Sequence, residues 1–174
     1  MPFELQPTLT GTLVELRPLH VDDYDDLYAV AADPLIWEQH PNSDRYKPAV
    51  FQQFFREAME SRGAFVVMDR ATGRIIGSSR YFGYDEQRSQ IEIGWTFLAR
   101  AYWGGVYNRE VKRLMLRHAF QFVDCVMFRV GPDNHRSQRA MEKIGGVRLP
   151  GLQFARGHDA VVFQITKSNA HFPD

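Results

Sequence analysis

Three stretches of this chain carry residue types and spacings suited to chemistry. The first is Arg100-Ala-Tyr-Trp-Gly-Gly-Val-Tyr-Asn-Arg-Glu-Val-Lys112, which follows a β-type segment and opens a long helical pattern. Adjacent glycines let backbone amides face inward. The first N–H groups of a helix lack intrahelical acceptors and lie at the positive end of its dipole, so such a turn can hold an anion; it is equally a common tight connection. Neither the phosphate loop G-x-x-x-x-G-K-[ST] nor the dinucleotide fingerprint G-x-G-x-x-G occurs. The second is a local charge excess: residues 100–139 hold eight Lys/Arg and three Asp/Glu, against thirteen and eighteen in the remainder of an otherwise neutral chain. Arg113 and Arg117 read as a solvated helix face, whereas Arg100, Arg109, Arg136 and Arg139 lie near the glycine turn or the next helix. The third is Asn134-His-Arg-Ser137-Gln-Arg-Ala140-Met-Glu-Lys-Ile-Gly145, a turn running into a helix, where Asn134 suits an N-cap.

These stretches need a scaffold, and 174 residues suffice for one domain spanning 1–174. Hydrophobic residues make up 44% and charged residues 24%, a composition that excludes disorder and a metal-dependent miniature fold. Neutrality removes any bulk field toward nucleic acid or anionic membrane, and no apolar run is long enough to span a bilayer, so a soluble cytoplasmic protein is expected. One cysteine, Cys125, and scattered histidines suggest neither a disulfide nor a metal site.

Alternation at Leu13–Leu16 predicts a strand. Helices follow, one after the acidic run Asp22–Asp26 and one from Pro48 to near Gly63. Ala64–Met68 and Arg74–Phe82 read as a hairpin, and Gln90–Leu98 as a third strand with Ile91, Ile93 and Trp95 on one face and Glu92, Gly94 and Thr96 on the other. Asn108–Phe122 is the longest helix, Cys125–Val130 a buried strand, Ser137–Ile144 a short helix, and two last strands fall within Val147–Phe154 and Ala160–Ile165. The order predicts an α/β fold with one mixed sheet and packed helices.

Together and in this order, Thr72-Gly-Arg-Ile-Ile-Gly77, Ile91-Glu-Ile-Gly-Trp-Thr-Phe-Leu98, Trp103-Gly-Gly-Val-Tyr-Asn-Arg-Glu110 and Asn134-x-x-Ser137-x-x-Ala140-x-x-Lys-x-Gly145 resemble the GNAT superfamily of N-acetyltransferases, in particular the ribosomal-protein N-terminal acetyltransferase branch, over about residues 10–166. The resemblance implies a single mixed, mostly antiparallel sheet splayed between its central strands, with helices on both faces. It implies acetyl-CoA as cosubstrate, lying between Gln90–Leu98 and Cys125–Val130, and a primary amine as acceptor: a protein N-terminus or a small molecule. Its cofactor contacts fall on Thr96, Phe97, Leu98, Arg100, Trp103, Gly104, Gly105, Val106, Tyr107, Asn108, Asn134 and Arg139. Two positions depart from the pattern: the second glycine of the usual Trp-Gly-x-Gly is Val106, and the frequent phenolic acid is Met141.

On that reading the amine attacks the thioester directly, without a covalent enzyme intermediate. Glu92 is the candidate base, with an ion pair or a solvated face as its structural alternative. Ser137 is the candidate donor to the leaving thiol, and an N–H near Thr96 or Phe97 is the oxyanion donor. Cys125 reads as a buried thiol rather than a nucleophile. Tyr28, Trp37, Tyr46, Phe82 and Trp95 are candidates to line the acceptor pocket or else to serve as ordinary packing. Asp22–Asp26 could draw a cationic amine but is explained by a helix start. The competing function is an acyl-CoA-binding sensor without turnover; a homodimer is compatible with the sequence but not specified by it.

Overall fold

The protein was analysed as a computed structural model, which describes residues 2–171. Nine strands are present among them: β1 (Leu9–Thr10), β2 (Val14–Pro18), β3 (Ala64–Asp69), β4 (Ile75–Asp85), β5 (Gln90–Leu98), β6 (Cys125–Val130), β7 (Val147–Arg148), β8 (Gln153–Ala155) and β9 (His158–Thr166). Four α-helices join them: α1 (Tyr24–Ala31), α2 (Pro48–Ser61), α3 (Val106–Ala119) and α4 (His135–Lys143). The strands run β1-β2-β3-β4-β5-β6-β9-β7, with β8 added against β9. Pairing is antiparallel except between β5 and β6. The splayed, mostly antiparallel sheet with helices on both faces is the expected architecture.

Alternation along the strands divides the core in two. Leu16, Phe65, Val67 and Tyr81 pack with Val111 and Met115 of α3 and Met141 of α4, whereas Ala64 and Val66 pack with Leu27 of α1 and Phe51, Phe54 and Phe55 of α2. Glu110 joins α3 to the start of the chain: its carboxylate accepts the N–H groups of Thr12, Leu13 and Val14 at 2.7–2.8 Å. The acidic run before α1 is structural at Asp23, which binds Arg17 and the His20 N–H, while Asp22, Asp25 and Asp26 are exposed. Cys125 is buried, accepts from Gln164 Nε2, and burial pushes its thiol pKa up.

One strand departs from the expected alternation. The β4–β5 register shifts between Ser78 and Arg80, and Trp95 takes a left-handed φ of 54°. This bulge turns Trp95 toward the α2 face, away from Ile91 and Ile93, and puts Thr96 on the α3 face. The predicted grouping of Trp95 with Ile91 and Ile93 is therefore corrected. An extra residue resets the two-residue period.

Candidate active site

β5 and β6 pair only at Gln90–Cys125, Ile91–Val126 and Glu92–Met127, then part. Because they are parallel, their C-terminal ends lie at the same open end of the split, and the helix after each begins there. Parallel strands that separate in this way create a crevice flanked by helix N-termini.

After β5, a single 3-10 turn at Arg100–Tyr102 leads to Gly104 and Gly105, whose φ values are +118° and +101°. Nothing lies within 4 Å of a Cβ built at Gly104, so the turn faces open space. Gly105 is the N-cap of α3; no side chain caps this helix and its first turn holds no acid. These bare amides fit the diphosphate of acetyl-CoA, and the bulge and parting strands fit its extended arm. After β6, Asn134 is buried and its Oδ1 accepts from Ser137 N at 3.3 Å, so it caps α4. Arg136, in the first turn of α4, stacks 3.5 Å above the Trp103 ring and thereby spans the mouth of the split. Trp103 is fixed in turn by Nε1 donating to Leu98 O at 3.0 Å.

Of the other predicted cofactor contacts, Thr96, Phe97 and Leu98 lie in the stretch of β5 that pairs with β4 but no longer with β6; Val106 is exposed, and Tyr107 and Asn108 occupy the first turn of α3. Arg139 is exposed on α4. Arg100 is ion-paired to Asp33, which draws it toward the end of α1 beside a concavity bordered by Val30, Ile36 and Ala101. Met141 is core, 4% exposed.

Glu92 is buried on the α2 side. Its Oε2 accepts from Arg129 and Arg156, each at 2.7 Å, while Oε1 faces Gly94. Ser137 stands across the split, at the start of α4. Among the predicted acceptor aromatics, Trp95 and Phe82 meet edge to face at 5.3 Å, and Phe82 is 45% exposed. Tyr46 is half-buried with its carbonyl receiving the Tyr28 hydroxyl. Trp37 is 2% exposed, donates to Ala31 O and packs on Phe97, so it belongs to the core and not to an open surface.

Sequence reasoning missed Lys112 and Arg80. Lys112, in α3, is 4% exposed, donates to Thr96 Oγ1 at 2.7 Å and lies 5.4 Å from the Phe128 ring. Thr96 Oγ1 is also 2.8 Å from Ser79 Oγ. Burial pulls the Lys112 pKa down to about 7. Its place four residues after Asn108 on an apolar helix face was the available signal.

The acetyltransferase (GNAT) domain family matches residues 14–147. The chain belongs to the GNAT acetyltransferase family. Similar solved structures include a GCN5-related N-acetyltransferase from Brucella melitensis (TM-score 0.80, 22% identity, covering 97% of this chain and 82% of that one). A GNAT-family acetyltransferase from Bacillus anthracis matches at TM-score 0.73 and 18% identity, covering 93% of this chain and 99% of that one. Mycobacterium smegmatis RimJ in complex with CoA-disulfide matches at TM-score 0.71 and 18% identity, covering 93% and 88%. At these identities the likeness shows the fold. The comparison with curated proteins gives no match. Among the described residues of this GNAT chain, no group of side chains could hold a metal ion, and no helix is long and apolar enough to cross a membrane.

Proposed function

We propose that this protein transfers an acetyl group from acetyl-CoA to a primary amine, on a protein N-terminus or a small molecule, by direct attack in a ternary complex. The observation that carries this reading is the parting of β5 and β6 beyond Glu92 and Met127, with the uncapped N-terminus of α3 at the open end. Acetyl-CoA supplies an acetyl group already activated as a thioester.

The amides of residues 104–108, with Arg136 and Arg139, hold the diphosphate. The unpaired edge from Thr96 to Leu98 receives the arm as an added strand would, and the Asn134 side chain contacts it from α4. Glu92, through Oε1 or a water, takes the proton of the attacking amine. A main-chain N–H at Thr96 or Phe97 stabilises the oxyanion, a contact of a kind worth about 3–4 kcal/mol. The carbon–sulfur bond breaks with its electron pair on sulfur, which Ser137 hydrogen-bonds. The proton leaving the amine is balanced by one taken up by the thiolate, giving the acetylated amine and free CoA thiol.

A thiol-release assay over a panel of amines and N-terminal peptides tests this. Release with at least one acceptor, matched by mass spectrometry of the acetylated product, supports it. Acetyl-CoA binding with no release from any amine makes the protein an acyl-CoA-binding module instead.

A further inference from the structure

Arg80 is 4% exposed, and Glu57 and Glu92 act on its guanidinium only through space. Its Nε has no hydrogen-bond partner, and no hydrogen bond or ion pair of its side chain is found among the described residues. A buried unpaired cation is costly unless a counter-charge arrives. What surrounds it is aromatic and further cationic. Arg80 Cζ lies 4.2 Å from the Trp95 ring centroid and 5.6 Å from that of Phe54, and Arg156 reaches the same Trp95 ring at 4.1 Å. Arg45 covers Phe54 at 4.9 Å. Burial, together with Arg45, pulls the Arg80 pKa down to about 10, and burial with Arg45, His158 and Arg136 pushes His40 down to about 3, so that imidazole stays neutral.

Among the described residues the carboxylate ion-paired within this cluster is Glu92, engaged by Arg129 and Arg156; Glu57 acts on Arg45 and Arg80 only through space. Arg80 has no ion pair of its own among the described residues, and a carboxylate arriving beside Trp95 would supply one. Arg80 lies on the α2 face, at the bulge, whereas the diphosphate amides lie at the N-terminus of α3. Planar guanidinium donors match carboxylate oxygens in pairs.

We infer that the acceptor amine also carries a carboxylate, which Arg80 receives beside Trp95 with Arg45 and Arg156 at its rim. The inference rests on the proposed transferase reading, since it names the acceptor class of that same site. Two sources present this chemistry, a free amino acid and a peptide N-terminus with an acidic side chain, and the test separates them.

In one arm, alanine, phenylalanine and glutamate are each compared with their amides. In the other, C-terminally amidated tetrapeptides beginning with Asp or Glu are compared with those beginning with Asn or Gln. The readouts are thiol release and calorimetric binding to the CoA-saturated protein. In at least one arm the acid should exceed its amide about tenfold or more in kcat/KM, as one charge-assisted pair provides. Arg80→Met should abolish that preference while leaving acetyl-CoA affinity unchanged. Arg156→Gln, on the exposed β8–β9 turn, should reduce the same preference and guards against a folding defect in the first variant. Equal use of acids and amides in both arms, or a preference that survives Arg80→Met in a folded protein, overturns the inference. If no acceptor turns over, acid-selective binding lost in Arg80→Met sustains the carboxylate site while the transferase reading fails; absence of such binding overturns the inference.

Discussion

Lys112 Nζ donates to Thr96 Oγ1 at 2.7 Å, tying α3 to the residue after the β5 bulge at the point where the sheet opens. Burial at that point lowers the Lys112 pKa to about 7. Between about pH 7 and its ordinary value near 10.4, the unfolded chain binds this proton and the folded one does not, so stability rises with pH across that window. Lys112→Met should remove this slope and raise the melting temperature at pH 7, by an amount on the order of a few kcal/mol in stability. Thermal melts from pH 6.5 to 10 check it; an unchanged slope in the variant would show that Lys112 is not its source.

Gly105→Ala places a side chain at φ +101°, where L residues are strained by about 1–3 kcal/mol. The nearest atom to the new Cβ, Arg109 Nη2, is 3.7 Å away, so the cost is conformational and not steric. The turn will relax and disperse its amides. Titration calorimetry should show acetyl-CoA bound about tenfold more weakly, equivalent to about 1.4 kcal/mol.

Asn134→Ala deletes the α4 cap, a loss of about 1 kcal/mol measurable by urea unfolding. On the proposed reading it also weakens acetyl-CoA binding. Asn134→Asp retains a capping oxygen, so recovery of stability without recovery of affinity would separate the two roles.

Glu110→Ala leaves the N–H groups of Thr12, Leu13 and Val14 without their acceptor. The expected loss is about 1–3 kcal/mol, the cost of one buried donor left unsatisfied, since Val14 is buried while Thr12 is exposed and Leu13 half-buried. Chemical denaturation measures it; a change under about 1 kcal/mol would mean that water replaces the carboxylate.

The legible parts of the fold were those governed by local period and turn chemistry. Leu13–Leu16, Ala64–Met68, Gln90–Leu98 and the helix after Pro48 lie within an end residue or a few of their observed bounds. β1 was not foreseen, because two residues carry no period and the strand exists only through its pairing with β2. The face of Trp95 was misread because a bulge is a register event between two strands, and nothing in Gly94-Trp95-Thr96 alone dictates it. The glycine turn could be read from backbone freedom and the helix dipole. Glu110 and Arg80 could not: their types predict solvent, and only tertiary contact buries them; for Lys112 the one signal was its place on an apolar helix face.

The account's central claim is that the split between β5 and β6 takes the arm of acetyl-CoA with its diphosphate on the α3 amides. A crystal structure of the acetyl-CoA complex tests it most directly. The arm should run along residues 96–98, with diphosphate oxygens within hydrogen-bonding distance of the amides of residues 104–108. A ligand bound elsewhere, with side chains filling the split, would contradict it.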